Sequence, residues 1–259
     1  PAEALWEHRF GSTTLRLRKR YRLVPRGVAV CFACATFPTW NAYPAMLASL
    51  ATGNAVIVKP HPTAILPMAL AVRACREVLA ASGYSPDLVT LCCDTVAQPV
   101  GKRLVKHPQA AIIDFTGSAR FGAWVEGNAA PALCYTETSG VNTVVVESVE
   151  ALEPVVRSLA TTMSLFSAQM CTSPQNVYVP RDGVRCGSGR IPPGEFGVAL
   201  ADAISSIAAD HRRAGQIMAA IQSPGTLALL DDLTESGRRR GRVLRESAPY
   251  PHAEFPAAR

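Results

Sequence analysis

Residues 27–59 read GVAVCFACATFPTWNAYPAMLASLATGNAVIVK. The two ends of this stretch are short and almost purely apolar, and between them lies PAMLASLA, a run of helical character. Apolar runs without polar alternation belong to strands covered on both faces, and two of them joined through a helix make a parallel βαβ unit. The alternation continues outward. DLVTLCC and AAIIDF read as further buried strands, and ILPMALAVRACREVLAASG, QPVGKRLVKH and SARFGAWVEGNAA as the helices around them. The predicted fold class is α/β, with a doubly wound parallel sheet.

A second pattern starts after Gly140. TVVVE reads as a strand, VEALEPVVRSLATTMSLF as a helix and NVYVP as another strand. The Gly- and Pro-rich RDGVRCGSGRIPPGEFG follows, then the helix candidates ALADAISSIAADHRRAGQIMAAI and TLALLDDLTESGRRR. We therefore expect a boundary near Ser139, with domains at 1–139 and 140–259. Upstream, LRLRKRYRL (15–23) places Leu15, Leu17, Tyr21 and Leu23 on one side of a strand and Arg16, Arg18, Arg20 and Arg22 on the other. The basic side reads as a solvated face. The apolar side suits a subunit contact and has no evident partner in the preceding residues.

The chain has 259 residues, 48% of them hydrophobic and 18% charged, which excludes disorder, collagen and coiled coil. A net charge of +6 without interleaved aromatic residues argues against nucleic acid as a partner. The longest apolar stretch, near Val28 to Phe37, is too short to cross a bilayer, and PAEALWEHRF lacks the basic-then-apolar shape of a signal peptide. No membrane partner and a cytoplasmic setting are the resulting expectations. The opening at Pro1 and the Pro-rich APYPHAEFPAAR at the end lead us to expect a piece of a longer chain, with both domains incomplete.

Eight cysteines are too sparse for a disulfide scaffold. Cys31 and Cys34 form a C-x-x-C inside an apolar strand with no second pair, so no metal site is expected. Cys171, in FSAQMCTSPQNVYVP, lies in a polar break between helix and strand, where a thiol is exposed and partly ionised. In DFTGSARFG (114–122), Gly117 allows a tight turn, and the amides of Ser118 and Ala119 form the positive end of a helix where a phosphate can dock. Many α/β turns share that shape for structural reasons alone. Asn41 opens a helix after a Pro-Thr-Trp turn, as a cap would. Lys59 ends a strand, pointing into the crevice where α/β sheets bind ligands. Glu137 in CYTETSG is either paired structurally or a base.

The ordered series TWN, GNAVIVKP, FTGSARFG, TETSG and AQMC resembles the aldehyde dehydrogenase superfamily over roughly Val24 to Pro180. FPTWNAYPAMLASLATGNAVIVKPHP and CTSPQNVYVP are most similar to the aldehyde dehydrogenases of bacterial phenylacetate degradation. The resemblance implies oxidation of a small-molecule aldehyde to the acid through a cysteine thiohemiacetal and thioester. It implies a cofactor domain over 1–139 and a catalytic domain over 140–259, and a homo-oligomer contacted through a protruding strand near 12–26. Cys171 would be the nucleophile, Glu137 the general base and Asn41 the side-chain donor to the oxyanion. Lys59 would bond the adenosine ribose, Gly117 and Ser118 would lie beside the pyrophosphate, and Trp40, His61 and Pro62 would adjoin the cofactor.

The sequence departs from the family pattern at several positions. Ala168 replaces a Gly and Phe166 an Asn ahead of the cysteine, while Gln169 is kept. Glu137 is followed by Thr138, Ser139 and Gly140 in place of Leu-Gly-Gly. Pro62 stands where many NAD-preferring members carry a Glu, which tilts the expected cofactor to NADP, with NAD as the alternative; a proline that only starts the next helix is the structural reading of that position. A Glu-x-Phe-Gly-Pro motif downstream of the cysteine is absent, and Glu195 in PGEFGVAL is not assigned to it. Two other readings stay open: a cysteine-dependent acyl hydrolase or transferase without nicotinamide, and a catalytically silent fragment.

Overall fold

The computed structural model describes residues 2–221 and 223–249. The end of the Pro-rich tail, 250–259, lies outside the described residues. The chain divides into two units, Pro1–Thr138 and Ser139–Arg259.

The first unit opens on a hairpin. Strand β1 (Ala2–Phe10) pairs antiparallel with β2 (Thr13–Tyr21), in a register that sets Trp6 opposite Leu17 and His8 opposite Leu15. The strand expected at 15–23 thus has a partner after all. That partner widens its apolar face, because Trp6, His8 and Phe10 project on the side of Leu15 and Leu17. Trp6 stacks on His8 with ring centroids 5.5 Å apart, and His8 meets Phe10 edge-on at 4.4 Å. On the other face Glu3 pairs with Arg20 and Glu7 with Arg16, each at 2.7 Å. The hairpin is exposed along its length.

Among the described residues, five parallel strands form the sheet: β3 (Val28–Phe32), β4 (Ala55–Lys59), β5 (Val89–Leu91), β6 (Ala110–Gly117) and β7 (Leu133–Thr138), in the order β5-β4-β3-β6-β7. The helices α1 (Pro38–Ala51), α2 (Ile65–Ala81), α3 (Gly101–Val105) and α4 (Ala119–Glu126) connect them. Alternate residues of β3 enter two different cores. Ala29 and Cys31 pack with Met46 and Met68 of α1 and α2, whereas Val30 and Phe32 pack with Ile113, Phe115 and Val125. Burial on both faces is why β3 carries an apolar residue at every position. The chain runs outward from β3 to β5, returns to β6 on the other side of β3 and continues to β7. The strand order therefore reverses between β3 and β6, and the loops at their carboxyl ends part there.

Helix α1 begins at Pro38 and not after Asn41: proline's fixed φ suits the first helical position, so Pro-Thr-Trp is the first turn of the helix and Asn41 lies inside it. The stretch QPVGKRLVKH supplies only the five residues of α3.

In the second unit β8 (Asn142–Val145) pairs parallel with β10 (Pro174–Tyr178). Strands β9 (Ser148–Val149), β11 (Val184–Cys186) and β12 (Gly189–Ile191) form a separate sheet in the order β12-β11-β9. The helices are α5 (Leu152–Ser164), α6 (Pro193–Ala209), α7 (His211–Ile217) and α8 (Pro224–Arg240). Val146, Val156, Val184 and Phe196 form its core. The Gly- and Pro-rich segment after Arg181 holds the β11–β12 hairpin and the first turn of α6. Gly183 makes that hairpin possible: its φ is +99°, and a Cβ there would lie 2.6 Å from the Ile191 carbonyl oxygen. The helical run expected over 199–221 is broken at Asp210, whose carboxylate accepts the N–H groups of Arg212 and Arg213 and starts α7. Among the described residues no helix is long and apolar enough to cross a membrane.

Candidate active site

Asn41 and Glu137 are 96 positions apart in sequence, and the sheet brings them together: Asn41 Nδ2 donates to Glu137 Oε2 at 2.9 Å. Asn41 rides in the first turn of α1, just beyond β3, and Glu137 is the penultimate residue of β7. The other end of the amide is also held, because the Cys34 thiol donates to Asn41 Oδ1 at 3.6 Å while Cys34 Sγ accepts the Phe37 N–H at 3.4 Å. Burial pushes the Cys34 thiol up, which keeps it protonated and able to donate. Deeper in the strand, burial and then the Asp114 carboxylate push Cys31 up to about 12. Both cysteines of the C-x-x-C are thereby poor nucleophiles. Asp114 shares the sheet face of Glu137, and its own carboxyl is raised first by burial and then by the Glu137 charge. Helix α4 lies tightly against the strand that carries Glu137: a Cβ at Gly122 would meet Thr138 Cγ2 at 2.6 Å.

Lys59 is the last residue of β4, as its place in the sequence suggests, but its ammonium is not free. Its Nζ lies 2.6 Å from Asp94 Oδ1, with the two side chains 11% and 1% exposed. Asp94 Oδ2 accepts the Val100 N–H at 3.0 Å, which fixes the carboxylate at the start of α3. Sequence reasoning missed Asp94. The signal was present, since Asp94 follows DLVTLCC at the carboxyl end of β5, the neighbour of β4. His61 Nδ1 contacts Thr63 Oγ1 at 2.8 Å, and burial followed by the Lys59 charge pushes the imidazole down, against an opposing pull from Asp94. It is neutral at physiological pH. Pro62 lies in a turn before α2, whose first residue is Ile65, so it does not start that helix. Trp40 is exposed on the first turn of α1.

Gly117 closes β6, and Ser118 caps α4, its Oγ accepting the Phe121 N–H at 3.4 Å. The expected tight turn is not the reason for the glycine, because its backbone is not left-handed. A Cβ at 117 would lie 2.6 Å from the Phe115 ring, so the position needs glycine for close packing. Chemically, this end of the sheet offers helix-end amides for an anion and a lysine–carboxylate pair for hydroxyl groups. Both lie on loops that leave the carboxyl ends of the parallel strands, and this donor set fits a dinucleotide.

In the second unit the Cys171 side chain is exposed. The segment before it departs from helical geometry at Phe166, Ser167 and Ala168, with φ of 52°, 55° and 61°. Three consecutive left-handed residues without a glycine hold only where side chains pin them. Ser167 Oγ donates to the Ala219 carbonyl at 2.8 Å and accepts the Ala219 N–H at 3.0 Å. Gln169 Nε2 donates to the carbonyls of Phe166 and Ala220 at 3.0 and 3.1 Å. Asn142, which the sequence did not single out, donates through Nδ2 to the carbonyls of Cys171 at 2.6 Å and Ser173 at 3.1 Å. Glu195 lies in the first turn of α6, where its charge favours the helix end.

The model of the aldehyde dehydrogenase family matches residues 6–187. A 1-pyrroline-5-carboxylate dehydrogenase of Bacillus licheniformis is 32% identical over 175 residues, covering 62% of this chain and 32% of the relative. The chain thus spans about a third of the length of the curated relatives it matches. Among solved structures, an NAD-dependent aldehyde dehydrogenase from Burkholderia multivorans is similar over 100% of this chain and 46% of its own, at 44% identity and a TM-score of 0.84. An NAD-dependent benzaldehyde dehydrogenase from Corynebacterium glutamicum shares the fold at 22% identity, with a TM-score of 0.67 over 88% of this chain and 48% of its own. With the family match running through both units and well over half of the residues, the chain belongs to the aldehyde dehydrogenase family.

Proposed function

We propose that the full-length protein oxidises an aldehyde to the carboxylic acid with a nicotinamide cofactor, and that residues 1–139 serve the cofactor while 140–259 carry the nucleophile. The observation that carries the reading is the Asn41–Glu137 hydrogen bond, which sets a donor for a developing oxyanion beside a carboxylate able to act as a base. The Cys171 thiolate attacks the carbonyl carbon, and the oxyanion of the thiohemiacetal is met by the Asn41 amide and the Cys171 N–H. Asn41 Nδ2 has two N–H bonds, so one can stay on Glu137 while the other serves the oxyanion. When bound, the nicotinamide cofactor accepts the hydride that leaves the same carbon. Glu137 then takes a proton from the water that attacks the thioester, the C–S bond breaks, and the thiolate returns as the acid departs.

On the cofactor side, Lys59 would hold the adenosine ribose, Gly117 and Ser118 would adjoin the pyrophosphate, and Trp40, His61 and Pro62 would line the approach. NADP and NAD both suit this set: the missing carboxylate at Pro62 favours NADP, and the Burkholderia multivorans relative is NAD-dependent. The likeness of FPTWNAYPAMLASLATGNAVIVKPHP and CTSPQNVYVP to phenylacetate-pathway enzymes supports an aldehyde of aromatic catabolism as substrate. The exposed apolar face of the hairpin supports a homo-oligomeric enzyme joined there. The test is reduction of NAD and NADP by the full-length protein with phenylacetaldehyde, benzaldehyde and an aliphatic aldehyde. Turnover that is fastest with an aromatic aldehyde and abolished by Cys171→Ser supports the reading; no reduction with any aldehyde overturns it.

A further inference from the structure

We infer that Asp94 sets how strongly this protein discriminates against a 2′-phosphorylated cofactor, by neutralising and fixing Lys59 from behind. The inference rests on the cofactor reading above and adds a residue to it. The Lys59 side chain keeps 11% of its surface open and the Asp94 side chain 1%, so of the two the lysine is the partner that reaches the surface and the carboxylate is enclosed. Asp94 cannot turn away, because the Val100 N–H holds Oδ2 at 3.0 Å while Oδ1 stays 2.6 Å from Lys59 Nζ. The contact between Lys59 and Asp94 is an ion pair in which, among the described residues, no hydrogen bond reaches Asp94 Oδ1, so the ammonium keeps its N–H donors for the hydroxyls of a ribose.

A ribose diol needs only those donors. A 2′-phosphate needs net positive charge, and a lysine already neutralised at 2.6 Å supplies little of it. Asp94 thus provides next to Lys59 the negative charge that position 62 lacks, from the neighbouring strand end instead of from the β4–α2 loop. It acts through Lys59 and is a positioning residue, not a group in contact with the cofactor.

Binding to the full-length protein is measured by calorimetry with NAD, NADP, 5′-AMP and 2′,5′-ADP, independently of turnover. Asp94→Asn keeps an acceptor for the Val100 N–H but frees the Lys59 charge. It is expected to shift the NADP-to-NAD affinity ratio about tenfold toward NADP, with 2′,5′-ADP gaining and 5′-AMP unchanged. Asp94→Glu, which keeps the charge, is expected to stay near the wild-type ratio. Should Asp94→Asn fail to fold, comparing Lys59→Gln with the double variant Lys59→Gln/Asp94→Asn isolates the carboxylate: its removal should raise affinity for NADP more than for NAD. A ratio unchanged when the Asp94 charge is removed from folded protein overturns the role of Asp94 and leaves the cofactor reading standing. Wild-type protein that binds none of the four overturns both.

Discussion

Lys59, Ser118 and Glu137 stand at or just beyond the ends of parallel strands in residues 1–138 and Asn41 in the first turn of the helix after β3, whereas Cys171 stands in an irregular stretch of 139–259 that follows three left-handed residues. The first group is placed by burial. Val30, Val56, Val58 and Ile113 fix the strands from both faces, and each side chain at a strand end inherits that position. The stretch before Cys171 is placed by polar hooks from Ser167 and Gln169, and the stretch after it by Asn142. Burial fixes positions by many weak contacts and tolerates change at any one of them. Hooks do so by a few hydrogen bonds, each worth roughly 1 kcal/mol, and are sensitive at each.

The contrast is sharpest in the thiols. Cys171→Ser is expected to lower kcat by at least about a thousandfold, since a hydroxyl is a far weaker nucleophile than a thiolate. Limiting iodoacetamide at neutral pH should label Cys171 and spare Cys31, whose thiol is pushed up to about 12 by burial. Peptide mapping that finds the adduct at Cys31 or Cys34, with Cys171 unmodified, would reverse the assignment of exposed and inert thiols.

Next in size is Glu137→Gln. The amide oxygen still accepts the Asn41 N–H, so the sheet-end geometry should survive while the base is lost. We expect a burst of reduced cofactor near one per site, followed by turnover slower by about a hundredfold or more. Stopped-flow and steady-state rates on the full-length protein decide this, and an unchanged steady-state rate would remove Glu137 from deacylation.

The same contrast explains what the sequence made legible. Uninterrupted apolar runs announced β3, β4, β5 and β6, because a strand buried on both faces leaves no other composition available. Lys59 at the end of β4, and Asn41 in the helix that follows β3, could be found by counting from those runs. Strand β1 escaped because AEALWEHRF mixes charge and aromatic residues on an exposed ribbon. The β11–β12 hairpin escaped because Gly183 and Gly187 read as loop when one leads into a three-residue strand and the other turns the chain between the two strands. Asp94 could have been placed by the apolar run ahead of it, but its pairing with Lys59, like that of Asn142 with Cys171, joins residues far apart in sequence, and no local pattern marks such a partner.

The hairpin offers a third test of burial against exposure. Trp6 and Leu17 face each other across it and remain largely open, so replacing both with Ser removes little from the stability of the subunit. If this face joins subunits, the double variant should weaken assembly by about tenfold to a hundredfold, as loss of two apolar anchors predicts. Light scattering across a concentration series reads the change. An unaltered mass at every concentration assigns the contact elsewhere.

The smallest expected effects come from exchanging glycine and alanine between the two regions. At Gly117 the backbone is ordinary, yet a Cβ would lie 2.6 Å from the Phe115 ring, which Phe32 and Phe121 brace edge-on at 5.8 and 5.3 Å. Gly117→Ala should therefore cost about 1–3 kcal/mol through overpacking. At Ala168 the reverse holds: the φ of 61° places an L-residue where Cβ crowds the backbone, at about 1–2 kcal/mol. Glycine removes that strain but loses more chain entropy on folding, so Ala168→Gly should leave a net gain of about 0.5–1 kcal/mol. Urea midpoints of the two full-length variants should move in opposite directions. The sign at 168 is the informative one. Stabilisation by glycine would mean that Ser167 and Gln169 hold the segment against real backbone strain, as the hooked description of the Cys171 region requires. Destabilisation would mean that Ala168 contributes packing there, and the two regions would then differ less in how they are built than their backbones suggest.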